Sequence, residues 1–201
     1  MTSMGLREKK AARTREQIID AALDLFIAQG YEQTTIEQIA ERAEVGTSTL
    51  YRYFASKDLI LIDRIAKTMV DLGLQLRSRP DDEPLGVALT EALRASVESF
   101  HDDPRSPEMR KIIDSSPGPR ARLWDVLKQA GTELEEAVAE RLGRDPKDIH
   151  VMTTAGMAVE VYGLVAEAWW SGRRTKSPAE VLREVLKSVN GEPPVIPALL
   201  P

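Results

Sequence analysis

Cysteine is absent from the 201 residues, so neither a disulfide framework nor a thiolate metal site is open to this chain. Histidine is scarce: His101 and His150 are the only two, and no cluster with metal-ligand spacing surrounds them. No nucleophile motif and no glycine-rich phosphate loop occurs, and His101 beside Asp102 and Asp103 reads as a solvated helix end. The sequence therefore predicts no enzyme, no cofactor and no metal. Long apolar runs are also missing. The stretch VIPALL near the end is proline-broken and far below the ~20 residues that span a bilayer. The start, MTSMGLREKKAARTREQ, is basic but leads into no apolar segment, so a secretory signal is not expected. A soluble, cytoplasmic protein with no membrane partner is the expectation.

What the chain does have is charge, unevenly spread. The formal net charge is −5, with 29% charged and 42% hydrophobic residues, ordinary for a globular domain. Residues 1–15 carry Arg7, Lys9, Lys10, Arg13 and Arg15 against Glu8, a net +4, which leaves −9 for the rest. A basic arm on an acidic body suits a local contact with a polyanion. A solvated, disordered tail explains the same charges.

Strand-like alternation and internal repeats are lacking, and helical patterns follow one another. Ile18, Ala22, Leu25 and Phe26 share one face of a first helix over 14–29, capped by Thr14 with Gln17 and ended by Gly30. Short helices over 35–42 and 47–53 follow, separated by four residues, and Ser56 caps a long fourth. Leu59, Ile62, Ile65, Ala66, Met69 and Leu76 keep one stripe of that helix apolar. The linker-like SRPDDEP, 78–84, precedes helices over 84–101, 107–114, 120–142, 148–171 and 178–189, punctuated by proline. The fold class is all-α: about nine helices, with a three-helix N-terminal domain and a larger C-terminal one. The expected division is a flexible basic arm over 1–12, a helix-turn-helix over 13–58, a ligand-binding and dimerisation domain over 59–190, and a tail over 191–201.

Two short helices behind a bracing amphipathic helix are the parts of a helix-turn-helix. The second must offer side chains to the major groove, where base edges are distinguishable. TSTLYRY, 47–53, suits this: Thr47, Ser48 and Thr49 are small hydrogen-bonding residues at the helix start, and Leu50 and Phe54 anchor it at i and i+4. Three signatures stand together here: LF-x-x-x-GY from Leu25 to Tyr31, TTI-x-x-IA from Thr34, and TLY-x-YF-x-SK-x-L from Thr49. With them, residues 13–61 resemble the DNA-binding domain of the TetR family of transcriptional repressors. The resemblance implies a phosphate contact at Thr35, backbone contacts at Tyr51 and Tyr53, and a phosphate-binding Lys57. It places Thr47, Ser48, Thr49 and Arg52 at bases or adjacent backbone, and makes the arm, with Arg13 and Arg15, a minor-groove or backbone clamp. Tyr51 or Tyr53 packing against the first helix is the plainer alternative. Glu44 stands at a turn position where the family often has glycine; left-handed there, it costs roughly 1–2 kcal/mol.

The larger half should supply the input. The 148–171 helix is apolar or small nearly all round, so it is buried on several sides. In the family the last two long helices form a four-helix dimer interface, which here implies Gly156, Gly163, Trp170, Leu182, Val185, Leu186 and Val189. Packing within one monomer is the alternative. Leu93, Val97, Phe100, Met109, Ile113, Trp124 and Leu127 are candidates to converge with Met157 and Val161 on an apolar cavity, though a plain core explains them too. Over 104–128 six cations face three carboxylates, a net +3, suiting an amphipathic anion. AERLGRDPKD and the later AWW resemble the family's acyl-CoA-like ligand-binding class. The resulting expectation is a homodimeric, ligand-responsive regulator on a palindromic duplex operator, with the fourth helix carrying the effector signal. A helical protein-interaction module and an activator of the same fold are the alternatives.

Overall fold

The computed structural model describes residues 5–99, 105–170 and 176–191. Among these are nine helices and no strand: α1 (Leu6–Gln29), α2 (Ile36–Arg42), α3 (Thr47–Tyr53), α4 (Lys57–Arg77), α5 (Leu85–Glu98), α6 (Ser106–Ser115), α7 (Pro117–Leu142), α8 (Ile149–Trp170) and α9 (Pro178–Gly191). The protein is all-α with an N-terminal helix-turn-helix, as its pattern predicts.

Local chemistry accounts for the boundaries. Gly30 (φ 93°) and Gly143 (φ 63°) occupy the left-handed side of backbone space that ends α1 and α7. Ser177 and Glu180 cap α9 reciprocally: the Glu180 carboxylate accepts the Ser177 N–H at 2.7 Å and Ser177 Oγ accepts the Glu180 N–H at 3.3 Å. Helix α7 starts at Pro117, three residues before the expected 120. Its two prolines are tolerated because first-turn amides have no intrahelical acceptor. The largest departure is at the start. The arm expected to be flexible over 1–12 is helical from Leu6, where the Glu8 carboxylate accepts the Gly5 N–H at 2.8 Å. Ala11, Ala12 and the Lys, Arg and Glu around them are strong helix formers, and charge pattern alone does not reveal that.

The chain divides into two compact units: Met1–Lys67 with Asp103–Val126, and Thr68–Asp102 with Leu127–Pro201. The expected boundary between 58 and 59 falls in the first turn of α4, and α6 joins the helix-turn-helix unit. In that first unit Ile18, Ala22, Leu23 and Phe26 of α1 pack with Ile39, Leu50, Phe54 and Ile60–Ile62, all at most 2% exposed. Met109 and Ile113 bring the apolar face of α6 into the same unit's buried set.

In the second unit α8 is the core element. Val151, Ala155, Tyr162, Val165 and Trp169 are buried with Leu72, Leu76, Leu93, Val97, Leu134, Val138 and Leu182. The opposite face of α8 is exposed. By length and composition Ile149–Trp169 is apolar enough to cross a membrane, and its buried face explains part of that apolarity as core. The 78–84 linker is clasped by Arg141, whose guanidinium donates to the carbonyls of Arg79, Pro80 and Glu83. Arg77 pairs with Glu140 at 2.9 Å beside it.

Candidate nucleic-acid interface

The helices of the first unit are fixed by different devices. Thr35 caps α2 in a reciprocal box with Gln38: its Oγ1 accepts the Gln38 N–H at 3.3 Å, and Gln38 Oε1 accepts the Thr35 N–H at 3.0 Å. The turn between α2 and α3 carries Glu44 at φ 54°, the left-handed position expected there. Helix α3 rests on Leu50 (0% exposed) and Phe54 (2%). Its other faces carry the residues singled out for recognition. Ser48, Tyr51 and Arg52 are exposed, and Thr47, Thr49 and Tyr53 are half-buried. Tyr51, at 52% exposure, does not pack inside the unit.

Lys57 begins α4 and is already engaged. Its ammonium donates to the Tyr31 carbonyl at 2.9 Å and the Thr34 carbonyl at 3.4 Å, and it sits 4.2 Å over the Tyr31 ring. Tyr31 in turn donates its hydroxyl to Asp58. Burial and the Asp58 carboxylate hold that phenol well above its ordinary pKa, so it stays a donor. Lys57 therefore positions the Thr34–Thr35 turn whatever it contributes to phosphate.

Arg15 is engaged more deeply. It forms an ion pair with Asp63 of α4, which is 9% exposed, donates to the Tyr53 carbonyl at 3.5 Å, and lies 4.4 Å over the Phe54 ring. Arg13 is exposed.

A second ionic joint links α6 to the helix-turn-helix, and nothing in the sequence pattern marks it. Arg105 reaches Asp20 at 2.7 Å and Asp24 at 3.0 Å on α1, and Asp24 also takes Arg42 of α2 at 3.0 Å. The partners lie 81 and 85 residues apart, beyond any local spacing rule. Arg42, then Arg105, hold the Asp24 carboxyl below its ordinary pKa. A depressed folded-state pKa contributes stability above the unfolded value near 4 that is lost as pH falls through the lower folded value. Amide protection factors in α2 should therefore fall as pH drops below about 4. In Asp24→Asn they should already be low at pH 6 and vary little with pH. Equal pH dependence in both proteins would show that Asp24 does not secure the joint.

Residues 18–63 match the bacterial regulatory proteins of the tetR family, and residues 83–193 match the MftR C-terminal domain. The chain belongs to the TetR family. This TetR-family regulator is 35% identical over 151 residues to the HTH-type transcriptional regulator TcmR of Streptomyces glaucescens, covering 72% of this chain and 67% of that one. Two solved structures share the fold. Thermus thermophilus FadR, a TetR-family repressor in complex with lauroyl-CoA, has TM-score 0.54 and 23% identity over 93% of this chain and 98% of its own. Pseudomonas aeruginosa NalD, the secondary repressor of the MexAB-OprM efflux pump, has TM-score 0.61 and 17% identity over 90% and 96%. The family and these relatives are transcriptional regulators rather than enzymes.

The residues expected around a ligand cavity divide between the two units. Leu93, Val97 and Val161 are buried in the core of the second unit, and Leu127 is partly buried against it. Met109 and Ile113 are buried in the first. Trp124 and Met157 are exposed, at 67% and 52%, and Phe100 lies outside the described residues. Of the residues expected at a dimer interface, Gly156 and Gly163 are on the exposed face of α8. Val185, Leu186 and Val189 of α9 are half-buried, and Leu182 is buried. The side chain of Trp170 lies outside the described set.

Proposed function

We propose that this TetR-family regulator is a cytoplasmic, ligand-responsive repressor that binds a palindromic operator as a homodimer and leaves it when a small amphipathic effector binds the C-terminal unit. The observation that carries the reading is α3. Leu50 and Phe54 anchor one face, while Ser48, Tyr51 and Arg52 stand exposed on the rest of the helix. In a dimer two such helices meet successive major grooves about 34–36 Å apart. The exposed apolar face of α8 supports dimerisation, because contiguous apolar surface on a folded domain marks an interaction site.

For the effector, the favoured class is a fatty acyl thioester of coenzyme A. Two neighbours in fold, the FadR proteins of Thermus thermophilus and Bacillus subtilis, are complexed with lauroyl-CoA and stearoyl-CoA. In this chain Leu93, Val97, Leu127 and Val161, packed in the core of the second unit, are the candidates for an apolar lining, and Ser96 Oγ, buried with no hydrogen-bond partner among the described residues, is the candidate polar anchor. Release requires only that the effector bind the DNA-free state more tightly than the bound one.

Selection of bound duplexes from a random library by the full chain, followed by sequencing, tests this reading. A palindrome with half-sites one helical turn apart is expected, and lauroyl-CoA or stearoyl-CoA should then release it. Failure to enrich any sequence would overturn operator binding. Enrichment with no response to either thioester would remove the effector class alone.

A further inference from the structure

Glycine weakens a helical turn unless its missing side chain is put to use, and Gly118 stands between Pro117 and Pro119 in the first turn of α7. The turn is exposed at Gly118, yet one side of it is closed. A Cβ there would come to 2.9 Å from Asp58 Oδ1, closer than real Cβ contacts come, and to 3.7 Å from Cγ and 4.0 Å from Oδ2 of the same carboxylate. The first turn of α7 therefore lies on the first turn of α4, both inside the first unit. A carboxylate is favoured beside the start of a helix, and Asp58 stands beside two such starts.

Asp58 Oδ1 is not free to move aside. It accepts the Tyr31 hydroxyl, and Tyr31 is 7% exposed with its ring 5.0 Å from that of Phe26. Lys57 sits over the Tyr31 ring and donates to the Tyr31 and Thr34 carbonyls. Thr34 precedes Thr35, whose hydroxyl caps α2. A chain of contacts thus runs from Gly118 through Asp58 and Tyr31 to the turn that starts the helix-turn-helix.

We propose that Gly118 is a positioning residue for operator recognition: its missing side chain lets the Asp58 carboxylate stay on Tyr31, which holds the Thr34–Thr35 turn and α2 in the geometry that DNA binding needs. The assignment rests on the DNA-binding reading above and adds the start of α7 to the elements that shape the helix-turn-helix. Gly118 acts through Asp58 and touches no base or phosphate. A methyl group at 118 pushes the carboxylate off the Tyr31 hydroxyl, and a buried hydroxyl without its acceptor is costly, so the Tyr31 side of the joint must shift. On an isolated helix the same substitution is stabilising, because alanine is the better helix former. The intrinsic effect and the proposed one are therefore opposite in sign.

The test uses the full chain and its selected operator, with Gly118→Ala, Tyr31→Phe and the two combined. Tyr31→Phe keeps the ring under Lys57 and removes only the hydroxyl that holds Asp58. Each single variant should lower operator affinity about five- to tenfold, the scale of one lost hydrogen bond, with base preferences unchanged. Amide exchange should rise at Gln38 and Ile39, whose N–H groups bond Thr35. The combined variant should bind no more weakly than the weaker single one, because without the hydroxyl the carboxylate can swing away from the new methyl group. Gly131→Ala, on the same helix where a Cβ would meet nothing within 4 Å, should change neither readout. Losses that multiply in the combined variant, or an equal loss in Gly131→Ala, overturn the assignment while the DNA-binding reading stands. So does Gly118→Ala with wild-type affinity and exchange. Wild-type protein that binds no duplex overturns the DNA-binding reading and the positioning role with it, and exchange at Gln38 and Ile39 then decides the joint alone.

Discussion

Leu164→Glu is expected to yield monomers and to lower operator affinity by two orders of magnitude or more. Helix α8 shows two faces of opposite fate. Val151, Ala155, Tyr162, Val165 and Trp169 are buried in their own unit, whereas Ile149 (82% exposed), Met152 (47%), Met157 (52%) and Leu164 (47%) look outward. Gly156 and Gly163 lie on the outward face, and a Cβ at either would meet nothing within 4 Å. Neither glycine is therefore required by packing inside the protomer. Both permit close approach by a second helix. In the proposed dimer a carboxylate at position 164 would be buried unpaired between the two α8 helices, which costs several kcal/mol, and each 1.4 kcal/mol is a factor of ten in the dimer constant. A monomer engages one half-site and loses the affinity gained by linking two. Sedimentation equilibrium together with operator titration reads both effects. Gly163→Ala refines the test: any loss of dimer in that variant has no intramolecular cause. A Leu164→Glu variant that stays dimeric would place the interface elsewhere.

Much of this architecture is legible in the residues themselves. The Leu25–Tyr31 turn, the Thr35 cap, the Leu50–Phe54 anchor and the Ser177–Glu180 box are all local. Local rules locate the helix ends at these features to within a few residues. What escaped detection is non-local. The pairing of Arg15 with Asp63 spans 48 residues and that of Arg105 with Asp24 spans 81. Charge count along the chain cannot say which cations are spent inside the fold and which remain for DNA. Pattern reading therefore put Arg15 with Arg7, Lys9, Lys10 and Arg13 in one basic arm, and could not show that Arg15 is held by the buried Asp63 carboxylate. The outward turn of Met157 was hidden for a related reason. On a helix that is apolar all round, periodicity does not distinguish the face for the core from the face for a partner.

Arg15→Ala is expected to lower the melting temperature by about 5–10 °C and to weaken operator binding at least tenfold, although Arg15 need not touch DNA. The side chain meets three groups at once: the buried Asp63 carboxylate, the Tyr53 carbonyl at the end of α3, and the face of Phe54. Truncation leaves Asp63, 9% exposed, as an unpaired buried charge. Breaking a fully buried pair costs about 3–5 kcal/mol. Because the Arg15 side chain is itself 40% exposed, water takes up part of the loss and about 2–3 kcal/mol is a fairer expectation. The cost falls on the joint that orients α3, so recognition suffers with stability. A compensated pair separates this role from a direct contact. Arg15→Leu with Asp63→Leu removes both charges and fills the space with apolar side chains, an exchange that is often neutral or stabilising. If Arg15 acts only through Asp63 and the end of α3, the pair should recover both melting temperature and operator affinity. If the pair melts like the wild type yet binds as poorly as Arg15→Ala, the guanidinium also meets DNA. Hydrogen exchange across α3 supplies the structural readout: raised in Arg15→Ala, restored in the pair.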